Sequence, residues 1–391
     1  MPSSELLPAD DADATLVGRV WDPAQGGPCV VRVAGDVLVD LSARFPTAAA
    51  VWAAEDPAAA ARDVGGPVLC ALDDLAAQDD PAATGRPRLL SPIDLQVVKA
   101  AGVTFPSSLW ERVVEERAGG DLALAEEVRE RLTAELGAGV LDVRPGSPEA
   151  AHVKRDLVAR GLWSQYLEVA LGPDAEVFTK AAVLSTVGHG ARIGVLAASE
   201  WSNSEPEVVL AVDARGRVVG AALGNDVNLR DVEGRSALLL PRAKDNNASA
   251  AVGPFVRLFD DGYGMDDVER AVVRLRVEGE DGFTMEDSCH LDRIRRRPAD
   301  LVAQAIGSHH QYPDGLVLFL GTMVAPTADR DRPGMGFTHR PGDVVTISEE
   351  RLGTLRNVVG RSEELPPWEF GLSAFMANLA ERGLLAGRTG A

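Results

Sequence analysis

The chain contains 391 residues, of which 46% are hydrophobic and 25% charged, and this composition is typical of a globular protein with about two domains. Its formal net charge of −20 at pH 7 argues against non-specific binding to nucleic acid, because the phosphate backbone is also anionic. No apolar run reaches the roughly 20 residues that a membrane-spanning helix needs, and the polar N-terminus does not resemble a signal peptide.

The first 90 residues combine short strands with one helical segment. Their predicted elements are a loosely attached tail (1–15), two strands (29–33 and 37–41), an alanine-rich helix (47–61) and a proline-containing linker (81–92). Together they predict a small β-containing N-terminal domain over residues 1–90.

The next segment is mainly helical. Apolar residues recur at helical spacings through residues 107–136, with a break at Gly119 and Gly120, and residues 148–158 predict a second helix. We therefore expect residues 91–165 to form a helical linker and lid region.

From Phe178 to about residue 359, apolar β-rich runs alternate with turns that contain Gly, Asn, Asp and Pro. The predicted strands are 193–196, 207–212, 218–223, 272–277, 315–320 and 343–347, with one helix at 299–306. This pattern predicts an α+β, β-rich fold, with a mixed sheet assembly of barrel character as the catalytic domain over residues 166–360. Residues 361–391 predict a C-terminal tail with an apolar helix.

The three cysteines, Cys29, Cys70 and Cys289, lie far apart and lack the spacing of metal ligands. Their odd number and wide spacing argue against a disulfide scaffold and suit a reducing compartment. We expect a cytoplasmic protein that binds a small molecule and neither nucleic acid nor a membrane.

Two carboxylates with strand spacing form the best candidate site. Glu205 and Glu207 begin a predicted strand, and the period of two places both side chains on one face. Carboxylates on one face repel each other unless a cation lies between them. Asp226, after the next predicted strand, offers a third oxygen ligand for a hard cation such as Mg²⁺. In a chain with 59 acidic residues such pairs are common, so the spacing alone favours a solvated pair over a metal site.

Lysine is rare in this chain. The four lysines are Lys99, Lys154, Lys180 and Lys244. A GC-rich genome that substitutes Arg for Lys explains the rarity, but a remaining lysine can also mark a position that requires a compact ammonium group. Lys244 follows Asp226 in the chain and is a candidate to neutralise an anionic substrate or to act as a base.

The stretch from Glu205 to Pro254 resembles the core signature of the fumarylacetoacetate hydrolase superfamily. That signature combines a Glu-x-Glu-x-x-Leu strand, an Asn-Asp-Val-x-x-Arg-Asp turn, a lysine and a Gly-Pro pair. Here these blocks are Glu205 to Leu210, Asn225 to Asp231, Lys244, and Gly253 with Pro254. Similar blocks flank it in the expected order at 178–180, at 315–322 (with Leu316 in place of the usual Asp), at 341–345 and at 352–357. The resemblance covers about residues 98–359.

The resemblance implies a mixed β-sandwich roll with a small N-terminal domain and a helical lid, assembled as a homodimer or a dimer-based oligomer. It also implies that Glu205, Glu207 and Asp226 hold Mg²⁺, with Mn²⁺ or Ca²⁺ as alternatives. The metal would chelate a 2-oxo acid through its carboxylate and keto oxygens. A divalent cation in that position polarises the ketone and acidifies the adjacent C–H bond.

A comparison of the lid separates the chemistries of this superfamily. Its hydrolases often carry Gly-x-Asn-Tyr-x-x-His-x-x-Glu, in which His and Glu activate water. In the matching stretch from Gly102, Glu111 is retained but Ser108 replaces the His. Serine cannot act as a general base near neutral pH as imidazole does, which disfavours a hydrolase of this kind. The opening from Lys99 to Phe105 is more similar to the longer 2-keto-3-deoxy-sugar-acid dehydratases.

The sequence therefore predicts a metal-dependent hydro-lyase that dehydrates a 2-keto-3-deoxy sugar acid, favouring a pentonate, to a dioxo acid such as 2,5-dioxopentanoate through a metal-stabilised enolate. In this hypothesis Lys244 is the base or the electrostatic partner of the enolate, and Glu111 protonates the departing hydroxyl. Lys180 and Thr322 bind the carboxylate or hydroxyl end of the substrate.

Several alternatives stay open. The runner-up function is a C–C bond hydrolase of an acylpyruvate or diketo acid, and a third possibility is a non-catalytic relative that binds metal and ligand. Glu111 fits a solvated helix face as well as a site, and Glu115 and Glu116 fit a solvated face better.

Overall fold

The computed structural model describes residues 6–76, 85–136, 143–326, 328–330 and 336–385. Within these ranges the chain forms a sheet of eleven strands and a sheet of five strands, with eleven α-helices around them. None of the helices in the described ranges is long and apolar enough to cross a bilayer.

The strands divide unevenly between the two sheets. The large sheet contains β1 (Leu16–Asp22), β2 (Gly27–Ala34), β3 (Val37–Asp40), β4 (Val68–Ala71), β5 (Arg88–Leu89), β6 (Val97–Gly102), β7 (Glu176–Ala181), β9 (Ser202–Val212), β10 (Val218–Leu229), β11 (Ala250–Leu258) and β14 (Leu316–Phe319). The small sheet contains β8 (Arg192–Val195), β12 (Val272–Glu278), β13 (Thr284–His290), β15 (Val344–Glu349) and β16 (Gly353–Arg361).

Most of the helices are short. They are α1 (Ala48–Trp52), α2 (Pro57–Asp63), α3 (Pro106–Ala118), α4 (Leu122–Leu136), α5 (Pro148–Ala159), α6 (Gln165–Leu171), α7 (Arg230–Glu233), α8 (Leu240–Lys244), α9 (Met265–Val268), α10 (Pro298–Ala305) and α11 (Leu372–Glu381). The predicted break at Gly119 separates α3 from α4, because Gly119 adopts a left-handed conformation (φ 63°) that ends the first helix. The predicted helix over 47–61 is two helices, because Pro57 cannot continue α1 and Asp56 caps α2.

The N-terminal strands are part of the large sheet. β1 pairs antiparallel with β11, so the order β4-β3-β2-β1 continues into β11-β10-β9-β14-β6-β7. The prediction of a loosely attached tail is wrong for the described residues 6–15, because Leu6 is buried and the Asp10 carboxylate contacts the Arg257 guanidinium at 2.5 Å. Residues 1–5 lie outside the described ranges, and the division into domains at residues 90, 165 and 360 stays a prediction.

The hairpin of β9 and β10 forms the centre of the large sheet. Its turn is held by the Asp213 carboxylate, which accepts the backbone N–H groups of Arg215 and Arg217 at 2.9 Å each. Both strands are longer than predicted, since the pairing continues from Val212 down to Ser202 through polar but buried residues. The candidate carboxylates therefore lie within paired strands rather than at their ends.

The two faces of the hairpin pack against different partners. On one face, Val208 and Leu210 join a core that includes Ile347 of the small sheet. On the other face, Val209 packs with the N-terminal elements, including Trp52 of α1. Complete burial of one such aliphatic side chain contributes about 1.5–3 kcal/mol to folding, so both layers hold the hairpin firmly.

Candidate active site

The register of β9 and β10 brings the three predicted carboxylates together. Asp226 lies directly opposite Glu205, and Glu207 lies two residues further along the same face of β9. All three residues are at most 6% exposed, and one oxygen from each lies within 4.8 Å of the others. Such a buried cluster of three carboxylates can hold a hard divalent cation.

Two lysines contact this cluster. The Lys244 ammonium at the end of α8 contacts Glu205 and lies 3.1 Å from Asp226 Oδ2. The Lys180 ammonium on β7 lies 2.8 Å from Asp226 Oδ1. Burial opposes ionisation of Asp226, but the two ammonium groups outweigh it and lower the pKa of this carboxyl. Burial likewise opposes the charge of Lys244, and Asp226 and Glu205 outweigh it and raise the pKa of Lys244.

The carboxylates line a small cavity of about 30 Å³ that has an excess of acidic groups. In the described part of the chain, its acidic wall residues are Glu111, Glu115, Glu176, Glu205, Glu207, Asp226 and Glu233, and its basic ones are Arg112, Arg230 and Lys244. Two more cations that do not line the described wall contact these carboxylates, Lys180 at Asp226 and Arg129 at Glu111. Seven acidic groups thus face five basic ones, and a bound divalent cation would favour the ionised forms of the carboxylates in excess.

Glu207 shows the effect of this imbalance. Burial, followed by the charges of Asp226 and Glu205, raises the pKa of Glu207 well above its ordinary value. The Gly321 N–H donates to Glu207 Oε2 at 2.6 Å, and the φ of 85° at Gly321 is one that glycine adopts without strain. The donor set is thus three carboxylates with oxygen atoms only, which fits Mg²⁺, Mn²⁺ or Ca²⁺ better than a soft metal.

Helix α3 closes the cavity and is tied to the cluster by Arg112. The Arg112 guanidinium lies 2.6 Å from Glu205 Oε1, 2.6 Å from Glu115 Oε2 and 2.8 Å from Glu233 Oε2. Glu115 is only 1% exposed, so the prediction of a solvated face is wrong for this residue. The face of α3 that carries Glu115 is covered by α7, whose Arg230 Nε lies 2.6 Å from Glu115 Oε1.

The lid residues predicted from the sequence reach the cavity wall. Glu111 lines it, and its carboxylate is held by Arg129 at 2.8 Å and by Arg230 at 3.1 Å. Ser108 also lines the wall, and its hydroxyl donates to the carbonyl oxygen of Phe105 at 3.0 Å. A serine engaged in the first turn of α3 does not replace the histidine of the hydrolase motif.

Of the two predicted substrate-binding residues, only one lies on the wall. Thr322 lines the cavity next to Gly321, and its hydroxyl accepts the Val324 N–H at 3.1 Å. Lys180 is fully buried and is not among the described wall residues, because its ammonium is bonded to Asp226 and to the backbone oxygens of Val227 and Lys244. In this arrangement Lys180 forms an ion pair with Asp226 and does not line the cavity.

Sequence reasoning missed Arg112, Glu176 and Glu233. Glu176 on β7 lines the cavity, and burial raises the pKa of its carboxyl. Counting back by two from Phe178, which also lines the cavity, would have placed Glu176 on the same face of its strand. Burial also raises the pKa of Glu233 to about 7. Arg112 and Glu233 had no such local pattern, since each acts through contacts between elements far apart in the chain.

Comparisons with known proteins identify a family and a fold. A family model described as Fumarylacetoacetate (FAA) hydrolase C-terminal matches residues 157–360, more than half of the chain. The chain is 30% identical over 193 residues to a 2-dehydro-3-deoxy-D-arabinonate dehydratase of Saccharolobus solfataricus, and 32% identical over 194 residues to a probable 2-keto-3-deoxyxylonate dehydratase of Haloferax volcanii. These matches cover 49% and 50% of this chain but only 60% and 63% of the relatives, less than two thirds of their length.

Solved structures share the fold over most of the chain. A 2-keto-3-deoxy-D-arabinonate dehydratase complexed with magnesium and 2,5-dioxopentanoate superimposes with a TM-score of 0.60 and 21% identity, covering 88% of this chain and 99% of that one. A 5-carboxymethyl-2-hydroxymuconate delta-isomerase from Mycobacterium smegmatis gives a TM-score of 0.52 and 18% identity, covering 88% and 98%. The predicted family resemblance and the β-rich α+β fold are thereby confirmed.

Proposed function

We propose that this chain, which belongs to the fumarylacetoacetate hydrolase family, is an enzyme that dehydrates a 2-keto-3-deoxy sugar acid, with a pentonate as the first choice. The observation that carries the proposal is the buried cluster of Glu205, Glu207 and Asp226 on the wall of an acid-rich cavity. The two curated relatives, both named as dehydratases of this substrate class, support the choice of reaction.

The proposed reaction converts a 2-keto-3-deoxypentonate into 2,5-dioxopentanoate and one water. A proton leaves C3 and a hydroxyl leaves C4, so that water departs and a C3–C4 double bond forms. A proton then leaves C5 as another is added at C3, and the resulting enol gives up its hydroxyl proton as C4 gains one. A divalent cation held by the three carboxylates would polarise the C2 ketone and make the C3 proton more acidic.

The cavity offers separate groups for charge stabilisation and for proton transfer. Lys244, whose pKa is raised, keeps its proton and is suited to stabilise negative charge on the substrate oxygen rather than to act as the base. Glu176 carries no such cation contact among the described hydrogen bonds and ion pairs, and its raised pKa suits proton transfer at C3.

A proton donor for the departing hydroxyl is also needed. Glu111 was predicted for this role, but two guanidinium groups hold its carboxylate. Glu233 also lines the cavity and contacts one guanidinium group, that of Arg112, rather than two, and its pKa of about 7 lets it hold a proton near neutral pH. We therefore place Glu233 ahead of Glu111 as the donor.

The experiment that tests this function uses chelator-stripped protein with and without added Mg²⁺. The protein is incubated with 2-keto-3-deoxypentonates of both C4 configurations, and the semialdehyde product is measured. We expect semialdehyde only in the presence of the metal. An exposed-residue variant, Glu364→Gln, serves as the control for handling and folding.

Other products would identify the alternatives. Pyruvate released from an acylpyruvate, without semialdehyde from the sugar acids, would identify a C–C hydrolase and overturn the inference drawn from Ser108. Metal binding with no turnover on any 2-oxo acid would indicate a non-catalytic relative.

A further inference from the structure

One end of the cavity carries a pair of asparagines. Asn203 precedes Glu205 by two residues on β9, and Asn228 follows Asp226 by two residues on β10. The two asparagines lie directly opposite each other, so they continue the row of side chains that forms the carboxylate cluster. Asn203 lines the cavity and is 1% exposed, and Asn228 is fully buried beside it.

Three of the four amide nitrogen and oxygen atoms of this pair lack hydrogen-bond partners within the described protein. Asn203 Nδ2 donates to the Ser204 carbonyl oxygen at 3.2 Å, but Asn203 Oδ1 has no partner, and neither do Nδ2 and Oδ1 of Asn228. Most buried polar groups in proteins are paired, because an unpaired one has lost its hydrogen bonds to water without replacement. A ligand that enters this end of the cavity would supply the hydrogen bond that Asn203 Oδ1 lacks.

The charges around the asparagine pair favour a neutral ligand group. The guanidinium groups on the described wall, those of Arg112 and Arg230, are each paired with two or more carboxylates at 3.1 Å or less. No uncompensated positive charge is therefore offered to a carboxylate at this end by the described wall residues. An amide that donates and accepts hydrogen bonds suits a hydroxyl group.

The distance along the strand indicates which hydroxyl of the substrate would reach Asn203. Residues two apart in a strand are separated by roughly 6.6 Å. A substrate whose C1 carboxylate and C2 ketone lie at the three carboxylates would place its C5 hydroxyl roughly 5 Å beyond the ketone carbon, from ordinary bond lengths of about 1.5 Å. The C4 hydroxyl lies closer to the cluster, where the leaving group must meet a proton donor.

We propose that the Asn203 amide binds the C5 hydroxyl of the substrate and thereby selects a hydroxylated five-carbon 2-oxo acid over an unsubstituted one. Asn228 lies directly opposite Asn203 but is fully buried and is not among the described wall residues, so Asn203 is the residue that contacts the ligand. This inference rests on the proposed function, because it takes the 2-oxo acid end of the ligand to lie at Glu205, Glu207 and Asp226.

The test measures binding rather than turnover. The Mg²⁺-loaded protein is titrated by calorimetry with 5-hydroxy-2-oxopentanoate and with 2-oxopentanoate, which differ only in the terminal hydroxyl. Neither ligand carries the C4 hydroxyl that leaves in dehydration, so both remain intact. We expect the hydroxylated ligand to bind the wild type about five- to tenfold more tightly, as one or two hydrogen bonds allow.

Two variants at position 203 test whether Asn203 causes the preference for the hydroxylated ligand. In Asn203→Leu, which keeps the size but removes both polar atoms, the affinity ratio falls to about one. Asn203→Ser, which is smaller and polar, also loses most of the preference and covers the case in which the leucine variant does not fold. Asn225→Leu is the matched control, because Asn225 is equally buried and unpaired but faces the other side of β10. Its ratio stays at the wild-type value.

The outcomes separate the inference from the proposed function. A wild-type ratio of one, or a preference that survives both substitutions at position 203, overturns the role of Asn203 and leaves 2-oxo acid binding intact. If neither ligand binds to the metal-loaded wild type, the proposed function itself fails.

Discussion

The two faces of strand β9 are equally buried but differ in charge, because one carries two carboxylates beside Val209 and the other carries no ionisable side chain. Toward the cavity the strand presents Asn203, Glu205 and Glu207, and toward the small sheet it presents Val208 and Leu210. Hydrocarbon burial stabilises the fold, whereas adjacent buried carboxylates repel each other and lose hydration. A sequence that keeps the charged face sacrifices stability there, which points to function on that face and to packing on the other.

The largest expected effect comes from neutralising Glu207 on the cavity face. Glu207→Gln keeps the size of the side chain and an oxygen for the Gly321 N–H but removes a metal ligand charge. We expect metal-dependent activity to fall about 1000-fold, while the metal-free protein melts at a higher temperature because the repulsion from Asp226 and Glu205 is relieved. Steady-state kinetics and a chelator-treated thermal melt measure the two effects.

The melting temperature of the Glu207→Gln variant tests whether the carboxylates lower the stability of the metal-free protein. A lower melting temperature of the metal-free Glu207→Gln protein would contradict the view that the cavity face costs stability. The Glu364→Gln variant, at an exposed position, is the control for both measurements.

The opposite face should respond in the opposite way. Leu210→Ala removes a fully buried side chain from the core between the sheets and is expected to lower the free energy of unfolding by about 3 kcal/mol. Because Leu210 does not line the cavity, Mg²⁺ affinity measured by calorimetry under folded conditions should stay within about twofold of the wild type. Urea unfolding gives the stability, and a large loss of Mg²⁺ affinity in folded protein would refute the separation of the two faces.

Stability should also depend on pH through the lid contacts. Burial raises the pKa of Glu233 to about 7 from an ordinary 4.5, although Arg112 and Lys244 oppose the shift and Glu205 and Glu115 add to it. Between these two values the folded state keeps a proton that the unfolded state releases. The free energy of unfolding of the metal-free protein therefore falls as pH rises from about 4.5 to about 7, by on the order of 2 kcal/mol.

The Glu233→Gln variant isolates this contribution. Glutamine does not titrate, so urea unfolding at pH 5, 6 and 7 in the presence of chelator should show a shallower decline than in the wild type. Equal slopes in the two proteins would assign the decline to other buried acids, such as Glu176.

The contrast between the faces of β9 also explains what the sequence could predict. Glu205, Glu207 and Asp226 follow a local period of two and a compact motif, so their shared face and their common cluster were predictable. The position of Lys180 relative to Asp226 was not predictable. A period of two places a side chain on one face of a strand, but it does not show whether that side chain lines the cavity or lies buried beside the wall residues.

The lid contacts were harder to predict for a different reason. Glu115 looked solvated because its neighbours on α3 are charged, but Arg230, 115 residues later in the chain, covers it. The pairing of β1 with β11 joins residues that are about 240 positions apart, which no local pattern records. Contacts of this kind depend on which elements meet, and a single sequence shows the elements but not their partners.

The smallest effect is expected for Ser204, a polar residue on the face of β9 that packs toward the small sheet. Ser204 points away from the cavity, and its hydroxyl lies 3.0 Å from His339 Nε2, while His339 Nδ1 lies 3.2 Å from Asp343 Oδ2. Unlike the amide of Asn203, the side chains of Ser204, His339 and Asp343 each have a hydrogen-bond partner, and a buried polar network is stable when its members are paired. Ser204→Ala should therefore cost only about 1 kcal/mol in urea unfolding and leave the preference for the hydroxylated ligand unchanged. A change in that preference would mean that the two faces of β9 are coupled through the strand, and the separation between a functional face and a packing face would no longer hold.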